Sequence, residues 1–218
     1  MWPEDAATLD EIYRALLACY GEPRWWPAKT PYEVIVGAVL TQNTAWDNVE
    51  KAIARFGGDV SPERVAGIMS SALAEIIRPA GSFNQKTAYL KAVTAWFGLY
   101  GYSVRDVQKL PLARARAELL AVKGIGPETA DSILLYAFGF ASFVVDAYTV
   151  RLASRLPIDT GTGYENVKEY FERRLPKDAE IYNNFHALIV INAKGHCRKK
   201  PACDGCPLSD MCRKALNG

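Results

Sequence analysis

Four of the chain's five cysteines fall in the spacing Cys197-x5-Cys203-x2-Cys206-x5-Cys212. Thiolates this close can hold one compact centre, and such clustering favours a metal over disulfides. Zinc is the common occupant of four-cysteine sites, which usually show two Cys-x2-Cys pairs where this chain has one. A second group lies in VKGIGPETADSILLYAFGFASFVVDAYTVRLASRL, from Val122 to Leu156. Gly124 and Gly126 form a Gly-X-Gly turn whose backbone, lacking Cβ atoms, a phosphate could approach closely. Pro127 suits the first position of the next helix, whose free N–H groups favour an anion. Downstream, Asp146 stands at the head of another helix. As an N-cap it would be kept ionised by helix-end N–H groups, and such a carboxylate can stabilise a cationic transition state or orient a water.

The elements that must position these residues read as helices. Thr8-x-x-Glu11 and Thr30-Pro31-Tyr32-Glu33 are capping boxes, the first before Ile12, Leu16 and Leu17 and ended by Gly21, the second before the apolar run Val34 to Leu40. Helical spacing returns at Val49, Ala52, Ile53 and Phe56. Ser61-Pro62-Glu63 and Ser70-Ser71 start short helices, and Ser82-x-x-Gln85 opens a long one carrying Tyr89, Val93, Trp96 and Phe97. A helix over Leu112 to Ala121 feeds the glycine turn. After it, Ala130, Ile133, Leu134, Ala137 and Phe138 share one face, and Gly139 reads as the stop. Further helices are expected near Glu165 to Arg174 and Asp178 to Ala193. No sustained strand alternation exists, and Phe143-Val144-Val145 is too short to build a sheet. The fold class is all-α. Cys19, within the first helical pattern, is expected to be a small core residue.

Composition sets outer limits. The 218 residues suffice for one large domain or two small ones, and 50% hydrophobic with 23% charged residues describes a packed soluble protein. No apolar run approaches a membrane span, and the acidic start MWPEDAATLDE lacks signal-peptide character, so a cytoplasmic location and no membrane partner are expected. With a net charge of +2, affinity for nucleic acid must come from local patches. Arg198, Lys199 and Lys200, with Lys194 just before them, form one such patch beside the cysteines.

VKGIGPETA followed by VVDAYTVRL resembles the helix-hairpin-helix DNA glycosylases of the endonuclease III superfamily. The resemblance implies a six-helix barrel domain with the hairpin over residues 29–140. A second helical domain would comprise 1–28 and 141–218 and carry the cysteine loop 197–212. It implies that Cys197, Cys203, Cys206 and Cys212 hold a [4Fe–4S] cluster, although the first spacer is one residue shorter than usual. Asp146 becomes the catalytic carboxylate. Lys123, Gly124 and Gly126 become DNA-binding residues, and Arg198, Lys199 and Lys200 pair with phosphates. Gln42, beside Asn43 in TQNT, corresponds to a side chain that enters the space vacated by an extruded base. Gly81-Ser82-Phe83-Asn84 resembles a second wedge loop in which Phe83 takes the place of an aliphatic that the family often has at Ser82.

Bifunctional members place a lysine two residues after the second glycine. Here the position holds Glu128, and a carboxylate cannot form an imine with the sugar. A monofunctional enzyme is therefore expected, with Asp146 and Glu128 as its catalytic carboxylates. The WWP segment of Trp25, Trp26 and Pro27, Trp46 after TQNT, the GIG-x-E turn and VVD together look like the 3-methyladenine glycosylase branch, whose base pocket also uses a lysine, here Lys194. His186 reads as a packing or phosphate-side residue and His196 as structural. The partner would be duplex DNA containing a damaged base, met by a nucleoid-associated monomer. Two alternatives stand beside this reading: a pyrimidine-lesion or mismatch glycosylase with or without AP lyase activity, and a non-catalytic iron–sulfur DNA-binding protein.

Overall fold

The computed structural model describes residues 7–23 and 25–212. Among them the regular elements are all helical: α1 (Ala7–Tyr20), α2 (Pro31–Leu40), α3 (Trp46–Ala54), α4 (Pro62–Gly67), α5 (Ser70–Ile76), α6 (Phe83–Gly98), α7 (Val104–Gln108), α8 (Leu112–Ala121), α9 (Pro127–Ser132), α10 (Ala147–Arg155), α11 (Tyr164–Arg174) and α12 (Ala179–Gly195). Short 3₁₀ turns occupy Arg78–Ala80 and Ser209–Met211, and a π-helical stretch, Ile133–Ala137, continues α9. The all-α class follows. The chain divides into two compact units, residues 26–140 and residues 1–25 with 141–218.

In the unit of residues 26–140, α2 is the central element. Every residue from Tyr32 to Leu40 is buried, as the near-continuous apolar run demands. Its start is the expected one: Pro31 sits at the first position and Thr30 Oγ1 accepts the Glu33 N–H at 3.1 Å. Phe56, Leu90, Phe97, Leu134 and Phe138 join it in one core, each worth about 1.5–3 kcal/mol when fully removed from water. The Ala130, Ile133, Leu134, Ala137 and Phe138 face is buried as expected. Buried charge also holds this unit together. Arg116 on α8 forms a two-pronged pair with Asp131 on α9, Nε to Oδ1 at 3.0 Å and Nη2 to Oδ2 at 3.1 Å, and Asp131 is wholly buried.

In the other unit α1 and α10 both pack on α12. Leu9, Ile12 and Leu16 form the buried stripe of α1, and Tyr13 meets Phe185 edge-on at 5.3 Å. The Phe143-Val144-Val145 segment is extended and buried, and Phe143 stacks on Phe171 with ring centroids 4.5 Å apart. Such backbone needs partners for its polar groups. Glu172 Oε1 accepts the Phe143 N–H at 2.8 Å, and Lys168 Nζ donates to Ser142 Oγ at 2.8 Å, Phe143 O at 3.1 Å and Glu172 Oε1 at 2.7 Å.

Several local expectations are corrected. Cys19 is exposed and not in the core: the apolar stripe of α1 advances from Leu16 to Tyr20, whose hydroxyl reaches Asn192 Oδ1 at 2.9 Å, and Cys19 falls to its side. Helix α1 begins at Ala7, ahead of the expected cap Thr8, whose side chain lies outside the described residues. Ser82 makes no capping bond because its backbone is left-handed, with φ +43°. Replacing Arg116 with Ala should cost about 3–5 kcal/mol in urea unfolding, since it removes both prongs of a pair to a buried carboxylate; an undisturbed midpoint would show that the α8–α9 brace carries no stability.

Candidate functional site

Asp146 caps α10. Its Oδ1 accepts the Thr149 N–H at 2.7 Å and the Thr149 hydroxyl at 3.0 Å, and its Oδ2 lies 3.5 Å from His186 Nε2 on α12. The Asp146 side chain is 15% exposed and that of His186 is 7% exposed, so both groups are largely shielded from water. Burial is the largest single influence on Asp146 and pushes its pKa up. The facing imidazole and then the Thr149 N–H and hydroxyl together outweigh it, and the carboxyl sits below its ordinary range. The expected N-cap is thus present, and it leaves the carboxyl ionised. The Lys168–Glu172 network described above fixes the segment that delivers it. Asp146-x-x-Thr149 is legible as a cap motif, whereas His186 is forty positions away on another helix and no local spacing signals it.

The hairpin runs from α8 through Val122–Gly126 into α9. Gly124 has φ +83°, and a Cβ built there would meet Tyr89 ring carbons at 2.1–2.3 Å. The fold thus requires this glycine for its own packing. Gly126 differs: its φ is −88° and a Cβ there would meet nothing within 4 Å. Neither conformation nor internal space calls for a glycine, which leaves room for something approaching the turn from outside. Lys123 and Glu128 are both exposed on this turn.

Two further loops flank it in the same unit. Gln42 is not free at its loop tip: Nε2 donates to Gly124 O and Thr129 Oγ1, each at 3.0 Å. Asn43 beside it is exposed with φ +53°. Phe83 opens α6 half-buried, with the Arg78 guanidinium 4.4 Å above its ring, while Ser82 is exposed at the loop tip.

The tryptophans fall in two sets. Trp26 meets Trp46 edge-on at 5.2 Å and Tyr136 at 5.0 Å, and Gly37 of α2 allows this because a Cβ there would lie 3.2 Å from Trp26 Nε1. Trp46 is anchored through Nε1 to Glu50 Oε1 at 2.9 Å. Tyr136 joins this aromatic group without any motif to announce it. In the other unit Lys194 Nζ stands 5.9 Å from the centre of the Trp25 ring. Pro27 is exposed.

Cys197, Cys203, Cys206 and Cys212 are free thiols. Among the described residues no group of three or more His, Cys, Asp or Glu side chains converges closely enough to hold an ion as it stands. The donor chemistry nevertheless fits a thiolate-bound centre. Arg155 Nη1 donates to Cys197 Sγ at 3.1 Å, Arg155 O accepts from Cys212 Sγ at 3.6 Å, and Asn192 Oδ1 accepts from Cys206 Sγ at 3.8 Å. Asn192 Nδ2, beside Cys206, is a buried donor without a partner among the described residues. Arg198, Lys199 and Lys200 are exposed, with Arg198 Nε also closing the end of α12 on Lys194 O and Gly195 O, both at 3.1 Å. His196 Nδ1 lies 2.9 Å from Ala202 O, a structural contact.

Residues 36–177 match the HhH-GPD superfamily of base excision DNA repair proteins. A Methanocaldococcus jannaschii protein provisionally named a DNA repair glycosylase is 48% identical over 207 residues, 93% of this chain and 94% of that one. Endonuclease III of Sulfolobus acidocaldarius is 30% identical over 192 residues, 85% of this chain and 83% of that one. The H. pylori 3-methyladenine DNA glycosylase, solved bound to 1,N6-ethenoadenine, superposes with a TM-score of 0.73 at 29% identity, covering 87% of this chain and 96% of that one.

Two outcomes follow. Gly124→Ala should lose about 2–4 kcal/mol of stability from left-handed strain and overlap with Tyr89, while Gly126→Ala stays within about 0.5 kcal/mol of the parent in the same denaturant titration. A depressed folded-state pKa means that Asp146 contributes stability above the ordinary aspartate pKa of about 3.9 and loses it as pH falls through the lower folded value. The stability difference between the parent and Asp146→Asn should therefore shrink as the solution is acidified below the ordinary aspartate pKa; a difference that grew on acidification would contradict the assignment.

Proposed function

We propose that this chain, which belongs to the HhH-GPD superfamily of base excision DNA repair proteins, is a monofunctional DNA glycosylase that releases alkylated purines such as 3-methyladenine from duplex DNA. The observation that carries the reading is Glu128 at the first turn of α9, where a carboxylate stands and no amine does. Hydrolysis must then proceed without an imine. A 3-methylated adenine bears a positive charge and is a good leaving group, so the C1′–N bond breaks with its electron pair going to the base. The cationic sugar that forms is stabilised by ionised Asp146, and a water adds to C1′ and gives up its proton to the carboxylate or to solvent. Indole faces favour a cationic ring over a neutral one, which suits Trp26 and Trp46, with Trp25, Pro27 and Lys194 completing the set. The likeness to the H. pylori 3-methyladenine enzyme supports the substrate class.

Duplex DNA would be held without sequence preference, by the turn at Lys123, Gly124 and Gly126 and by Arg198, Lys199 and Lys200 on phosphates. Gln42 and Asn43 from one loop, and Phe83 with its loop from the other, would occupy the gap left by the extruded base. Cys197, Cys203, Cys206 and Cys212 would hold a [4Fe–4S] cluster. When bound, it supplies a covalent organiser for a loop too short to have its own core, and it keeps the basic residues in place. The protein would act as a monomer. A second reading, a pyrimidine-lesion glycosylase, draws on the 30% identity with endonuclease III.

Base release should be measured on duplexes each carrying one defined lesion: methylated purines, uracil, thymine glycol or a T·G mismatch. Methylated purines should be released, Asp146→Asn should lower the rate on the order of a hundredfold or more, and borohydride should trap no covalent complex. Release of pyrimidine lesions alone, or a borohydride-trapped adduct, would establish the second reading. Gly126→Ala should weaken duplex binding although it leaves stability unchanged.

A further inference from the structure

Lys86, on the first turn of α6, is 4% exposed. Its ammonium donates to two backbone carbonyls, Leu40 O and Ala80 O, each at 2.8 Å. Burial pushes its pKa down, and among the described residues no carboxylate answers its charge. An ammonium held only by carbonyls is an expensive way to fill a core position that a methionine would fill without charge. What distinguishes the site is where the two carbonyls lie. Leu40 O closes α2 immediately before the loop Thr41–Thr44, and Ala80 O closes the 3₁₀ turn immediately before Gly81–Ser82. Both are helix ends with outward-facing carbonyls, which attract a cation.

Each of these loops also holds a strained residue. Non-glycine positive φ occurs at Asn43 (+53°), Ser82 (+43°) and Tyr102 (+56°) among the described residues, so two of the three flank the Lys86 clamp. Backbone strain of this kind persists where the surroundings over-determine it. Gln42 Nε2, bonded to Gly124 O and Thr129 Oγ1, carries the connection on to the hairpin. Two side chains thus tie together three segments that the proposed function places against DNA.

We propose that Lys86 is a positioning residue for duplex opening: it locks the loops 41–44 and 81–83 into one fixed wedge, so that both enter the gap as the damaged base leaves. This rests on the glycosylase reading and adds to it a residue that touches neither DNA nor substrate. Lys86→Met keeps the length and removes the charge and donors. Single-turnover release of an alkylated purine from a duplex should then fall on the order of a hundredfold, the scale of a small misplacement. Release of the same base from a bubble, where it is already unpaired, should be unchanged. A merely structural lysine would lower both alike.

A readout without turnover is the fluorescence of 2-aminopurine beside an abasic analogue, which should rise when the parent binds and stay flat with saturating Lys86→Met. Ser82→Gly relieves the left-handed strain without emptying the core; it should lower duplex release alone and carries the test if Lys86→Met does not fold. Equal duplex release by the parent and the folded variant, or an equal loss from duplex and bubble, would overturn the inference. A parent that raises the fluorescence yet releases no base, with Lys86→Met still flat, would instead overturn the glycosylase reading and leave the wedge intact.

Discussion

An ionised carboxylate removed from most of its water is the constraint on which the candidate site depends. Burial alone would push the Asp146 carboxyl towards its protonated form, because it penalises the charged form more than any other single influence acts on it. Three donors reverse that outcome: the Thr149 N–H, the Thr149 hydroxyl and the His186 imidazole. None of them acts unless the chain enters α10 at the right angle. That entry is set by the extended, buried segment before Asp146, whose polar backbone is served by Lys168 and Glu172. A helical protein thus carries one short non-helical passage through a core, and the charged side chains of α11 make it tolerable.

The same logic recurs in the unit of residues 26–140. Arg116 with Asp131 and Lys86 with two carbonyls are charged groups placed inside apolar packing, and each fixes the relation between segments that helix packing alone would leave adjustable. Hydrophobic burial assembles the helices; directional, charge-assisted bonds set the turns between them. Buried polar groups are therefore concentrated where loops meet helix ends.

This division explains what could be read from the sequence. Helix positions were legible because apolar periodicity and caps are local: Thr30 and Ser61 each accept the backbone N–H expected of them. The candidate carboxylate, the glycine turn and the cysteine spacing were legible for the same reason. Ser82 misled because a side chain that suits a cap says nothing of a left-handed backbone imposed by its surroundings. Cys19 misled because helical phase at a terminal turn does not decide which neighbour arrives. His186, Lys86 and Tyr136 were invisible as site residues, since their meaning comes from contacts with distant parts of the chain.

The π-helical stretch Ile133–Ala137 has a consequence of a different kind. A helix that accommodates one extra residue in a turn rotates everything beyond it by about 100° relative to α-helical winding. On this stretch Tyr136 arrives against Trp26, and just past it Phe138 arrives against Trp96 and Phe97. The angular placement of those rings is thus written in the number of residues in the stretch as much as in their identity. A homologue one residue shorter here could conserve every aromatic and still point them elsewhere.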